Sequence, residues 1–259
     1  MQARMVTPYR TALITGASSG IGRALCLELA RAGVHVYAAA RRVERLQALV
    51  AEAPAGQVTA LVLDVADCET TVARIRALDN ECGGLDLIVA NAGASPAHDV
   101  PPDAWETLRE PCHTNFCGAV ATLTAVLPQM VARRRGHLVG VSSLASFGAL
   151  PAAVAYSAPK AGLSMLLACL RLDLRGTGVA VTTVRPGFVS TPHVASSPHP
   201  VPQMMSEAAA AALIARRLPR RPQRIDFPQP LAWTTRLFAL LPEWLRGPIL
   251  RGVTKWSRS

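Results

Sequence analysis

Tyr156-Ser-Ala-Pro-Lys160 and, thirteen residues earlier, Ser143 are the side chains best suited by type and spacing to move a proton. In a helix, positions i and i+4 share a face, so Tyr156 and Lys160 would point into one cleft. A free tyrosine titrates near ~10 and is a poor base at neutral pH. A neighbouring ammonium stabilises the phenolate and lowers that value, so the pair is expected to exchange a proton with an oxygen at neutral pH. Ser143 ends an apolar run that reads as a strand, and its hydroxyl could hold and polarise the same oxygen. Taken singly, Tyr156 and Lys160 also read as an exposed helix pair, and Ser143 as a serine capping a turn. Pro159 lacks an N–H and disturbs the turn before it unless it falls near the helix start, where Pro151 suggests it lies.

Such a site needs an element that holds a reaction partner, and Thr15-Gly16-Ala17-Ser18-Ser19-Gly20-Ile21-Gly22 has that form. Ala12-Leu13-Ile14 before it reads as a short buried strand, and Arg23 to Ala30 after it as a helix. A strand, a glycine-rich turn and a helix start together bind a nucleotide diphosphate: unsatisfied N–H groups face outward, the dipole favours an anion, and glycines allow close approach. The spacing is Gly-x3-Gly-x-Gly, and on its own it could be no more than a tight turn.

With Asn91-Ala92-Gly93, Asn115 and Ser143 falling in order between the glycine turn and Tyr156, the chain resembles a short-chain dehydrogenase/reductase from about Arg10 to Thr191. The resemblance implies a Rossmann-type, doubly wound α/β fold with a parallel sheet and helices on both faces. It also implies catalysis by Asn115, Ser143, Tyr156 and Lys160. Tyr156 would give a proton to a carbonyl oxygen held by Ser143 as a nicotinamide gives hydride to carbon. Lys160 would also bind the nicotinamide ribose, and Asn115 would kink its helix and hold a water passing protons to the lysine. Asp64, beside Val65, would bond the adenine ring, though a helix cap or turn residue is as good a reading from the residues alone. Val189 and Thr191, after Pro186-Gly187, would contact the carboxamide. Ala40-Arg41-Arg42 follows the second strand pattern, and no carboxylate occurs from Val34 to Val43. An acidic residue there holds a free ribose 2′-hydroxyl and an arginine accommodates a 2′-phosphate, so NADP(H) is expected, with Arg41 the leading residue.

The surrounding elements follow from alternating patterns. Strands are expected at Thr11–Thr15, Val34–Ala40, Val58–Asp64, Leu85–Ala90, His137–Ser142 and Val179–Arg185. Helical patterns fill the gaps, notably Gly20–Ala32, Glu69–Glu81, Asn115–Arg133 and Ala161–Arg175, which implies a parallel sheet covered on both faces. The 259 residues, half of them hydrophobic and 17% charged, suit one such domain, 1–230, with an extension over 231–259, and the resemblance implies a substrate-covering loop within the domain at about 192–218. Leu138 to Pro159 has no charged side chain, but its serines, glycine and prolines break it into strand, loop and helix start. Six cysteines without a CxxC pair, and a Met1–Arg10 segment without an apolar leader, lead to the expectation of a reduced, cytoplasmic chain. His193 and His199 lack metal-like partners, so no metal is expected.

The net charge of +10 is uneven: residues 1–213 carry +2 and residues 214–259 carry +8. Trp233, Leu237, Leu240, Leu241 and Trp244 approximate helical spacing among basic residues. Such a segment can lie peripherally on a membrane, or it can close the substrate pocket or a subunit interface. Nothing resembles a nucleic-acid reading element. The expected activity is NADP(H)-dependent hydride transfer on an apolar aldehyde, ketone or alcohol, lipid-, steroid- or fatty-aldehyde-like, by a homo-oligomer. The alternatives are a 3-oxoacyl reductase and a catalytically weak NADP-sensing or scaffold protein on the same fold.

Overall fold

The short apolar runs become strands and the longer amphipathic ones become helices laid across them. The computed structural model describes residues 7–94, 104–150, 153–190 and 204–256. In chain order the strands are β1 (Thr11–Thr15), β2 (His35–Ala40), β3 (Val58–Val62), β4 (Leu87–Ala90), β5 (Gly136–Val141), β6 (Val179–Pro186), β7 (Val189–Ser190), β8 (Met205–Ser206) and β9 (Arg224–Phe227). Seven form one parallel sheet in the order β3-β2-β1-β4-β5-β6-β9, while β7 and β8 pair separately. The order reverses between β1 and β4, which opens a crevice beyond the carboxyl ends of those two strands.

The helices are α1 (Gly20–Arg31), α2 (Val43–Glu52), α3 (Cys68–Glu81), α4 (Trp105–Cys112), α5 (Gly118–Thr124), α6 (Leu127–Ala132), α7 (Val154–Asp173), α8 (Glu207–Arg217), α9 (Gln229–Ala239) and α10 (Glu243–Trp256). Alternation along β1 sends Ala12 and Ile14 into a core with Leu25 and Leu29 of α1 and Ile214 of α8. Leu13 goes to the other side, with Ile75 of α3, Leu123 of α5 and Leu163 and Leu167 of α7. Two apolar layers therefore clamp the central strands, every residue of β4 and β5 being buried.

Three sequence expectations change. A seventh strand, β9, was not expected; its alternation of buried Ile225 and Phe227 with Arg224 and Asp226 spans only four residues. The Asn115–Arg133 helix is broken: residues His113–Cys117 form a π-helical turn, and α5 and α6 are separate. Pro159 is the sixth residue of α7 rather than a member of its first turn, and the helix continues through it. The 138–159 stretch divides as expected into β5, a short 3₁₀ turn at Leu144–Ser146 and the start of α7. All six cysteines are free, and no metal-binding cluster occurs among the described residues.

Candidate active site

The glycine-rich turn joins β1 to α1, and its shape follows from contacts that exclude side chains. Gly16 has φ +68°, and a Cβ there would lie 2.7 Å from Cα of Ala92. A Cβ on Gly22 would collide with the Asn91 amide and sit 2.6 Å from the Gly16 carbonyl oxygen. Ser19 occupies the N-cap of α1 without making a side-chain cap bond, and no acidic residue lies in the first turn. The first N–H groups of α1 thus keep no side-chain cap at the edge of the cleft, an arrangement suited to a pyrophosphate.

The β4 end is bonded to the β1 end. The Thr15 hydroxyl accepts N–H bonds from Asn91 (3.1 Å) and Ala92 (3.2 Å), and the Asn91 amide donates to the Thr15 carbonyl at 2.9 Å. Thr15 had no assigned role in the sequence, though it is buried here as the joint between the two strands. A cleft of about 570 Å³ opens above them. Gly16, Ser18, Ser19, Gly20 and Ile21 line one side, with Asn91, Ala92 and Gly93 beneath. Arg41, Arg42, Asp64 and Val65 line its β2–β3 end, and Tyr156, Lys160, Pro186, Gly187 and Val189 its other end. Gly22 lies behind this wall as packing, and Thr191 lies outside the described residues.

The two arginines differ from expectation. Arg42 lies against the glycine turn, donating to Ser18 Oγ at 2.7 and 3.1 Å and to Ser19 Oγ at 3.0 Å. Burial, followed by repulsion from Arg45 and Arg41, pushes its pKa down. Arg41, the leading residue from sequence, pairs instead with Asp64 at 3.6 Å with both side chains largely exposed. Asp64 is a turn residue, accepting the Ala66 N–H at 3.0 Å, and the N-cap of α3 is Asp67. The fold therefore brings a carboxylate from beyond β3 beside Arg41.

At the other end, β5 delivers Ser142 and Ser143, and α7 delivers Tyr156 and Lys160. Ser142 Oγ donates to the Lys160 carbonyl at 2.8 Å and shares a 2.8 Å bond with Ser164 Oγ, which ties the second turn of α7 to the strand end across Pro159. Sequence reasoning missed Ser142 and Ser164; the adjacent Ser142-Ser143 pair was the available signal. Lys160 is buried, with Nζ donating to the Val141 carbonyl at 2.8 Å and lying 6.0 Å from the Tyr156 ring centroid. Burial lowers its pKa to about 8.

The expected lowering of the Tyr156 pKa is reversed within the protein alone. Burial raises it, and the hydrogen bond with Ser143 offsets only part of that rise. Tyr156 nevertheless keeps some surface in the cleft. Asn115 is fully buried in the π-helical turn. Its Oδ1 accepts the Ala94 N–H at 2.8 Å and its Nδ2 donates to the Ala94 carbonyl at 2.7 Å. The helix is interrupted by this π-helical turn, and the Asn115 side chain holds the segment after β4 beside Gly93, where Lys160 Nζ also approaches. π-Turns of this kind concentrate at functional sites.

This crevice at the switch point of a doubly wound sheet, with an uncapped helix start on one side and a Ser–Tyr–Lys group on the other, defines a dinucleotide-dependent oxidoreductase. The short chain dehydrogenase family model matches residues 10–201. An uncharacterized oxidoreductase of Myxococcus xanthus is 52% identical over 236 residues, covering 90% of this chain and 93% of that protein. Another from Staphylococcus aureus is 32% identical over 185 residues, 70% of this chain and 79% of that one. The chain belongs to the short-chain dehydrogenase/reductase family. Among solved structures, a short-chain dehydrogenase from Streptomyces avermitilis superposes with TM-score 0.79 at 28% identity, covering 97% of both chains. One from Sphingobium yanoikuyae, in complex with NADPH, gives TM-score 0.76 at 26% identity over 93% of this chain and 95% of that one.

Proposed function

We propose that this enzyme is an NADP(H)-dependent reductase of aldehydes or ketones carried on apolar molecules. The observation that carries the reading is the Tyr156 phenol, which lines the cleft with Lys160, keeps its proton through burial and has Ser143 close by. A phenol that keeps its proton at neutral pH is in the state a proton donor needs. The reduced nicotinamide supplies the hydride. Tyr156 then gives its proton to the carbonyl oxygen, and Ser143 donates a hydrogen bond to the same oxygen. Lys160, its pKa lowered by burial to about 8, lies 6.0 Å from the Tyr156 ring centroid, and its ammonium form stabilises the phenolate left once the proton is given. Asn115 acts as a positioning residue through Ala94. Oxidation of an alcohol uses the same groups in reverse and needs the phenolate, so it is expected to strengthen at higher pH.

Arg41 and Arg42 support the choice of NADP(H), since both line the cleft next to the glycine turn. The NADPH held by the Sphingobium relative favours the same cofactor. An apolar substrate is supported by Leu150 and Val154 just before Tyr156, and by Phe188 beside Val189, all exposed. Met204, exposed too, is brought near them by the bond from the Met205 N–H to the Phe188 carbonyl at 3.0 Å. Exposed Trp105 on α4 and Met165 and Leu172 on α7 support a homo-oligomer, which light scattering checks.

The test is consumption of NADPH, with NADH in parallel, against aldehydes and ketones of increasing apolar size. Turnover with NADPH that rises with apolar bulk is expected. Turnover with NADH alone would overturn the cofactor assignment, and tight NADPH binding without turnover would favour the sensor reading.

A further inference from the structure

An amphipathic helix normally turns its apolar stripe to the core and its polar side to water. Helix α9 has apolar residues on both sides. Its inner seam is Leu231, Ala232 and Ala239: Ala232 is buried, Leu231 packs beside Gly187, and Ala239 packs beside Gly148. On the outer side Trp233, Leu237 and Leu240, at i, i+4 and i+7, are exposed by 67%, 69% and 77%. Trp244 at the start of α10 is exposed by 73%. Leu241, Leu245 and Ile249, in and just before α10, are exposed as well.

The charge around this face selects its occupant. Arg236 lies three residues after Trp233 and four before Leu240, so it borders the stripe and is itself exposed. Residues 229–259, which carry this face, hold five Lys/Arg against one acidic residue, Glu243 at the start of α10. A second copy of the chain bringing the same face would set one strongly basic segment against another. An anionic bilayer meets both properties, with headgroups for the arginines and a boundary region where tryptophan and leucine are stable. At eleven residues α9 is about 17 Å long, too short to cross a membrane, so it would lie in the surface plane.

We propose that the outer face of α9 and the start of α10 docks this protein peripherally on anionic lipid bilayers. The docking stands apart from the reaction. Its consequence, delivery of a lipid-borne carbonyl to a cleft whose rim at Gly187 touches α9, rests on the reaction proposed above.

The full chain is sedimented with vesicles of phosphatidylcholine alone, or of equal parts phosphatidylcholine and phosphatidylglycerol, at low salt and at about 0.5 M salt. The expected result is at least about tenfold stronger binding to the anionic vesicles, weakened by salt, with a blue shift of tryptophan emission. The triple variant Trp233→Ser, Leu237→Ser, Trp244→Ser changes only exposed side chains; it should keep its melting temperature and lose about tenfold or more in vesicle binding. Equal binding to both vesicles, no binding to either, or wild-type binding by the variant overturns the proposal. So does a drop in oligomer size of the variant by light scattering, which would make this face a contact between copies. Turnover in vesicle-free solution is read separately, so a failed reaction and a failed docking give different results.

Discussion

The two ends of the cleft are built by different means. The β1–β4 end is a backbone surface: Gly16 and Gly22 leave no room for a side chain, and Thr15 and Asn91 bond the strand ends together. The β5–α7 end is made of side chains held by long-range hydrogen bonds, Ser142 to Lys160 and Ser164, and Lys160 to Val141. Steric exclusion makes the first end a shape, and buried polar groups with shifted pKa values make the second a proton-transfer device. The two should therefore fail differently: substitution at the first should cost cofactor binding, and at the second chemistry.

Replacement of Tyr156 by Phe gives the largest predicted effect. The ring remains and the proton donor goes, so kcat should fall by about 10²- to 10⁴-fold while the cofactor Kd changes little. Stopped-flow turnover with fluorescence titration of NADPH checks both halves. A parallel loss of binding would dissolve the distinction between the two ends.

Gly22→Ala tests the opposite end. The new methyl would meet the Gly16 carbonyl, which is backbone, and the Asn91 amide, which its bond to the Thr15 carbonyl holds in place. Overpacking of this kind costs about 1–3 kcal/mol, read here as a lower melting temperature and weaker cofactor binding, with kcat at saturation largely preserved. An unchanged melting temperature and Kd would show that the turn is not sterically closed.

The sequence made these two ends legible to different degrees. The glycine turn and the Tyr156–Lys160 pair are local patterns, and their spacing carries the geometry with it. Six strands were legible because each is a run of apolar residues between turn signals. β9 was not, because its alternation of Ile225 and Phe227 with Arg224 and Asp226 spans only two repeats. Ser142, Ser164 and Thr15 were missed because their roles are made by tertiary contacts, and a serine or threonine has no spacing signature for bonding a distant backbone. The Asp64–Arg41 pair was missed for the same reason, as the two lie on different strand ends that only the sheet brings together. The π-helical turn at Asn115 was legible only as an unfavourable asparagine in a helical pattern.

Arg42 and Arg41 allow a finer comparison at the nucleotide end. Arg42→Ala should reduce the preference for NADPH over NADH in kcat/KM by about tenfold or more, since an arginine–phosphate contact contributes about 1.5–3 kcal/mol. Arg41→Ala should change it less, because Arg41 is exposed and shared with Asp64. The reverse ranking would return the leading role to Arg41, as its sequence position suggests.

The smallest predicted effect comes from the far end of β5, the strand that delivers Ser142 and Ser143. His137 is fully buried there, bonded through Nδ1 to the Tyr9 hydroxyl at 2.7 Å and through Nε2 to Thr182 Oγ1 at 2.8 Å. Burial, helped by the charge of Arg221, lowers its pKa from 6.5 to about 3. The folded state therefore binds fewer protons than the unfolded chain between those values. Its contribution is intact above pH 6.5 and is lost as pH falls towards 3. At one unit below the unfolded value the loss is on the order of 1 kcal/mol. Thermal melts at neutral pH and one unit below pH 6.5 should show that drop in wild type. His137→Gln, though less stable throughout, should show a smaller drop between the same two pH values. Equal pH slopes in the two proteins would remove His137 as the source. A smaller slope in the variant would separate acid loss of the β5 scaffold from titration of Tyr156 and Lys160 at its other end.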